Sequence, residues 1–171
     1  MKRIKFLIAG LLIAGCSALA QNADQQAAIS KIAETAKTNS TEAMDQAKSL
    51  IKGDKKNLDL IISVGRAFLN AKKTDEASMI LDMAKKVKAN SAQTNVFAGD
   101  IEVAKNDPGT ACQMYETAIY YEPKDETAYF RYADIYKSID PEGAVAKLNT
   151  LKEKRPDLTN VDLKIGEVYY T

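Results

Sequence analysis

Apolar residues recur along most of this chain at spacings of three and four, and short polar stretches interrupt them at regular intervals. That is the pattern of amphipathic helices in series. Ile61, Val64 and Phe68 form one apolar stripe, and Tyr129, Tyr132 and Tyr136 form another. Polar turns follow at residues 72–75, 106–109 and 138–143, and each turn leads into a second helical stretch. Pro123 and Pro156 mark two of the ends, because proline cannot continue a helix. The alternation also has a longer period. Gly65, Ala77, Leu81 and Ala84 return, all at one fixed offset, as Gly99, Ala111, Tyr115 and Ala118. The next copy has Ala133, Ala144, Leu148 and Leu151, and Gly166 opens a fourth. The copies run 58–91, 92–125 and 126–158, with the start of a further one at 159–171. The third is one position short, since Tyr136 keeps the full offset from Glu102 while Ala144 falls one short of it from Ala111. This places the loss in the turn, where no apolar face is rotated. A fixed period implies one unit stacked on itself, with small residues at Gly65, Gly99 and the alanine columns where helices approach closely.

Residues 22–57 fit the same frame less well. Ala27, Ala28, Ile29, Ile32, Ala33 and Ala36 predict one amphipathic helix; Ala43, Met44, Ala47, Leu50 and Ile51 predict another. Ser40 or Thr41 is expected to cap the second. Ala43 and Leu50 stand one full period before Ala77 and Ala84, so 22–57 reads as a degenerate repeat capping the stack, within a repeat domain spanning 22–171. At the other end no second helix follows Gly166, and the apolar Leu163, Val168 and Tyr170 favour a piece of a longer array over a solvating end helix.

The glycine, paired alanines, aromatic and proline at Gly99, Ala111, Ala118, Tyr115 and Pro123, with Tyr129, Tyr132 and Tyr136 in the next copy, resemble the tetratricopeptide repeat (TPR). Glu102, where an aromatic is expected, and Ala89, where the repeat-ending proline is expected, depart from the pattern. The resemblance covers residues 58–171. It implies an all-α, right-handed superhelical solenoid of helix-turn-helix units. It also implies a concave groove lined by the fifth, ninth and twelfth positions of each first helix. The fifth positions are Ile62, Val96, Phe130 and Leu163; the ninth are Arg66, Asp100, Asp134 and Glu167; the twelfth are Leu69, Val103, Lys137 and Tyr170. The groove so implied has an apolar floor and acidic groups toward its C-terminal end, suited to a protein or peptide segment with apolar anchors and a few basic residues. Packing between neighbouring helices is the alternative use of the same ladder.

Residues 1–20 read as a signal peptide. Lys2, Arg3 and Lys5 precede an apolar run at 6–15 that is too short to span a bilayer, followed by a small-residue cleavage site ending at Ala20. Residues 12–16 compete with that site, because they resemble the lipobox of bacterial lipoproteins, in which Cys16 is acylated. Both readings export the chain, to the periplasm or as an outer-membrane lipoprotein, and only lipidated Cys16 implies a membrane anchor. Of the 24 basic residues, Lys2, Arg3 and Lys5 lie in this segment and none of the 23 acidic ones does, which leaves a net of −2. That is no nucleic-acid footprint. Lysine clusters at 52–56, 72–73 and 85–88 read as solvated helix ends, with a phosphate or anionic-lipid site as the lesser alternative.

Catalytic chemistry finds little support. The chain has no histidine, which removes Ser-His-Asp sets, His-based metal sites and imidazole acid–base chemistry. It has no glycine-rich phosphate loop and no Cys-x-x-Cys pair, so neither cofactor nor metal is expected. Cys112, beside Ala111 in the interhelix seam, reads as a buried structural thiol. Tyr115, Tyr121, Tyr129, Tyr132 and Tyr136 fall on core columns, whereas Tyr120 shares its column with Lys86 and Glu153 and is expected to be exposed, a plausible anchor for a partner. The sequence thus points to a non-enzymatic scaffold of the cell envelope that holds a protein or peptide in its groove. A lipid-anchored structural subunit of an envelope assembly, or a carbohydrate-binding module using Tyr120 and Tyr170, are the other readings. The oligomeric state is left open.

Overall fold

The computed structural model describes residues 23–170. The leader readings, Cys16 included, therefore lie outside the described residues. Among those residues are nine α-helices and no strand: α1 (Ala23–Thr38), α2 (Ser40–Gly53), α3 (Leu58–Asn70), α4 (Thr74–Lys88), α5 (Ala92–Ala104), α6 (Pro108–Tyr121), α7 (Glu126–Tyr136), α8 (Pro141–Lys154) and α9 (Asn160–Tyr169).

Local chemistry sets most helix starts. Asn57, Ser91, Asp107, Asp125 and Asp140 each accept a hydrogen bond from a backbone N–H in the first turn of the helix that follows. Pro108 and Pro141 open α6 and α8, where their missing N–H costs nothing. One expectation is corrected. Asn39, not Ser40 or Thr41, caps α2, because its side-chain oxygen accepts from the Glu42 N–H at 3.1 Å while Ser40 already lies in the helix.

The turns inside the units share one device. Lys72 and Asn106, at the same place in successive repeats, adopt φ of 60° and 62°. Each sits just past a helix end whose last carbonyls are closed by paired hydrogen bonds, Lys73 N–H to Phe68 and Lys72 N–H to Leu69, then Asp107 N–H to Glu102 and Asn106 N–H to Val103. The third unit has no left-handed residue there. Its missing residue is taken up by ending α7 at Tyr136, with Ile139 and Asp140 both donating to the Tyr136 carbonyl.

Odd helices run parallel and in register. Gln93 donates to Asp59 (2.7 Å), Arg66 to Asp100 (3.4 Å) and Asn160 to Glu126 (3.1 Å), each across 34 residues. Even helices run the other way, and Lys147 on α8 donates to Glu116 on α6. The small-residue columns are buried throughout, at Ala77, Ala84, Ala111, Ala118 and Ala144. Over the glycines, however, it is rings that occupy the space. A Cβ on Gly65 would lie 2.2 Å from the Phe97 ring, and one on Gly99 would lie 2.4 Å from the Tyr115 ring, whereas Gly166 faces nothing within 4 Å. Two apolar clusters result. One joins α1 to α4 with Phe97, Ala98 and Ile101 of α5, and the other joins Ala92 and Val96 of α5 to α6 through α9.

Candidate functional site

The face formed by the odd helices carries a ladder of charges. Asp100 on α5 is only 12% exposed at its side chain and is held by three groups. Arg66 on α3 donates at 3.4 Å, the Tyr115 hydroxyl donates at 3.1 Å, and Arg131 on α7 forms an ion pair at 3.4 Å. One repeat further on, Lys164 on α9 donates to Asp134 at 2.5 Å and to Glu167 at 2.9 Å. Arg131 and Lys164 thus each reach back to the acid of the preceding odd helix. Burial opposes the charge on Lys164, but its hydrogen bonds to Asp134 and Glu167 outweigh that and hold its pKa above the ordinary lysine value. The hydrogen bond from Lys164, helped by Lys164 and Lys137 charge, holds Glu167 below the ordinary carboxylate value. Burial first, and then Asp100, push the Tyr115 phenol well above its usual range.

This pairing corrects the expected acidic groove. Asp100, Asp134 and Glu167 carry partners of their own, Arg66 and Arg131 at the first and Lys164 at the other two. Arg131 and Lys164, which make the difference, stand at the sixth helix position and escaped the sequence reading. Their spacing of three before Asp134 and Glu167 was the available signal.

The expected apolar floor divides in two. Ile62 and Val96 are 4% and 2% exposed and belong to the core, where they hold helices together and offer nothing to a ligand. Phe130 is half-buried against the second cluster, while Leu163 is 68% exposed and Tyr170 93%. Val103 is also exposed, and it borders a cavity of about 260 Å³ with Asn106, Pro108, Asp134, Ile135 and Ser138, between the end of α5 and the side of α7. Lys137, one residue before Ser138 of that cavity, is half-buried. Tyr120, on the even-helix side, is 80% exposed and packs edge-on against Tyr121 at 5.5 Å between ring centres. Tyr121, expected in the core, is itself partly exposed, whereas Tyr115, Tyr129 and Tyr132 are buried. Cys112 is buried, and burial raises its thiol pKa.

Parallel odd helices, parallel even helices and a pairing that recurs once per repeat define a helical-repeat solenoid. Solved structures with the same arrangement include TTC0263 of Thermus thermophilus, a TPR protein (TM-score 0.66, 15% identity, 82% of this chain and 80% of that one). They also include MamA (0.58, 18%, 75% of each chain) and YrrB (0.53, 14%, 84% and 75%), the latter described as a TPR protein with an unusual peptide-binding site. No family model matches the sequence, and no curated relative matches it significantly. The chain has the tetratricopeptide-repeat fold.

Proposed function

We propose that the chain is an exported, non-enzymatic repeat scaffold that holds a segment of a partner protein along the odd-helix face. The observation carrying this reading is the cavity beside Val103. Its wall is apolar at Val103, Pro108 and Ile135, and polar at Asn106, Ser138 and Asp134. This is the mixed lining that seats one apolar side chain and orients the backbone around it. The adjoining surface supplies Arg131, Lys137 and the half-buried Phe130. Because the acids of this face are already paired, the segment that suits it is anchored by apolar groups and backbone hydrogen bonds. A lysine-rich segment would have to compete with Arg66, Arg131 and Lys164 for the carboxylates there. The peptide-binding description of YrrB, which shares the fold, is consistent with this use.

A photo-reactive phenylalanine analogue placed at Val103 tests the reading in envelope extract, with the same analogue at Tyr120 as control. A single polypeptide cross-linked from Val103 but not from Tyr120, and lost in an Arg131→Glu variant of unchanged helicity, is the expected result. Equal labelling from both positions would sink the proposal. Val96 offers no place for the analogue, since it is buried in the core.

A further inference from the structure

We infer that the edge of the solenoid where each even helix ends is a docking surface for an anionic lipid bilayer. Chain direction gathers its residues. Even helices end, and odd helices begin, at one edge, so α2, α4 and α6 each present their last turn there. Lys52, Lys55, Lys56, Lys85, Lys86 and Lys88 are all exposed at this edge, and none forms an ion pair among the described residues. In the C-terminal units the pattern differs, for Lys147, Lys152, Arg155 and Lys164 are each paired with an acid. Lys52 and Lys86 share one column of the repeat, and the next place in that column is Tyr120, the most exposed ring on the even helices.

Placement at helix C-termini accounts for part of the lysine excess, since cations there complement the carbonyl ends, and Asp75 and Glu76 mirror them in the first turn of α4. It does not account for Tyr120, nor for Lys55 and Lys56 beyond the end of α2. Asp24, Asp54, Asp59 and Asp82 are the acids around these lysines, fewer than the lysines themselves, and Asp59 is engaged by Gln93. Glu122, Asp125 and Glu126 lie further along, past the end of α6, with Lys124 among them. Three features favour a bilayer over other anionic partners. The charges are all lysines, point charges on flexible stems, with no arginine fork to fix a single phosphate or base. The tyrosine pair at the same edge has the amphipathic character of side chains that settle at the headgroup level. Finally, α1 begins at this edge, so the chain preceding it enters from there. On the lipobox reading the stretch from Cys16 to Ala23 spans at most about 25 Å. A tether at that point would turn the lysine edge, and not the odd-helix face, toward the membrane. The inference rests on the export reading only for this last argument, and it is independent of the partner site at Val103.

Co-sedimentation tests it, using protein beginning at Gln21, which retains every described helix and lacks the apolar leader. The protein should bind vesicles of phosphatidylglycerol mixed with phosphatidylcholine, bind phosphatidylcholine alone far less, and lose affinity as salt is raised. A Lys52→Glu, Lys86→Glu variant with parental helicity should bind more than about tenfold more weakly, and Tyr120→Ser should weaken binding at constant charge. Arg131→Glu should leave it unchanged. Equal binding to neutral vesicles, no binding to anionic ones, or parental affinity in the double lysine variant would overturn the inference. So would stripping of the protein from vesicles by an acidic peptide or an oligonucleotide at comparable charge concentration.

Discussion

Gly65 and Gly166 occupy the same column of the repeat, yet their surroundings differ completely. The Phe97 ring sits where a Cβ on Gly65 would be, at 2.2 Å, and that ring is fully buried and cannot swing aside. Gly65→Ala should therefore destabilise by about 1–3 kcal/mol through overpacking. Gly166→Ala, in a helix with nothing within 4 Å, should stabilise by up to about 1 kcal/mol by lowering unfolded-chain freedom. Urea unfolding followed by circular dichroism separates the two, and a matched loss at both positions would contradict the structure. Tyr115 gives a second prediction at this scale. Its phenol pKa is raised in the fold by burial and by Asp100, so the folded state binds this proton more tightly than the unfolded one. The associated stability is fully present below the usual phenol pKa near 10 and is lost as pH rises above it. Tyr132 is raised the same way, chiefly by burial, and Lys164 acts in the same direction above its ordinary value. Thermal unfolding of the parent should thus show a midpoint that falls once the pH exceeds about 10, and Tyr115→Phe should flatten that fall. An unchanged slope would mean that the hydroxyl is not sequestered as described.

Among elements, the turns show how a repeat tolerates change. Of the turns inside the three units from 58 to 158, two place a residue in the left-handed region, and only one of those two residues is suited to it. Asn106 tolerates that conformation, whereas Lys72 carries a strain of about 1 kcal/mol. Lys72→Gly should raise stability by up to about 1 kcal/mol, and Asn106→Gly by less, with the midpoint of chemical unfolding as the readout. The third turn avoids the problem by ending α7 early, which keeps Tyr129 and Tyr132 buried on one side and Ala144 and Leu148 buried on the other. The odd helices are tied by ion pairs and hydrogen bonds one repeat apart, and three groups converge on Asp100. Asp100→Ala should cost about 2–4 kcal/mol in the same unfolding measurement, since Arg66 and the Tyr115 hydroxyl would lose their acceptor in a largely buried site.

For the whole molecule, the division of the core at α5 predicts how the stack opens. Phe97, Ala98 and Ile101 belong to the cluster with α1 to α4, while Ala92 and Val96 belong to the other, so α5 is the only described helix with buried residues in both. Leu60→Ala, which empties a fully buried site in the first cluster, should cost about 2–5 kcal/mol. In hydrogen exchange it should lower protection in α1 to α4 much more than in α6 to α8, as nearest-neighbour stacking requires. Uniform loss across the chain would show a single cooperative unit instead. What the sequence determined by itself was the period, the helix pairs, the small-residue columns and the exposure of Tyr120. Each follows from spacing along one chain, since a helix of constant pitch and a repeat of constant length put like residues in like places. What only the tertiary structure decided was the character of the odd-helix face. Ile62 and Val96 are spent on the core, and the apparently acidic Asp100 and Asp134 are neutralised by Arg66, Arg131 and Lys164 from neighbouring helices. A column reading gives the residue at each position but not the distance to the next helix, and charge and burial are both set by that distance.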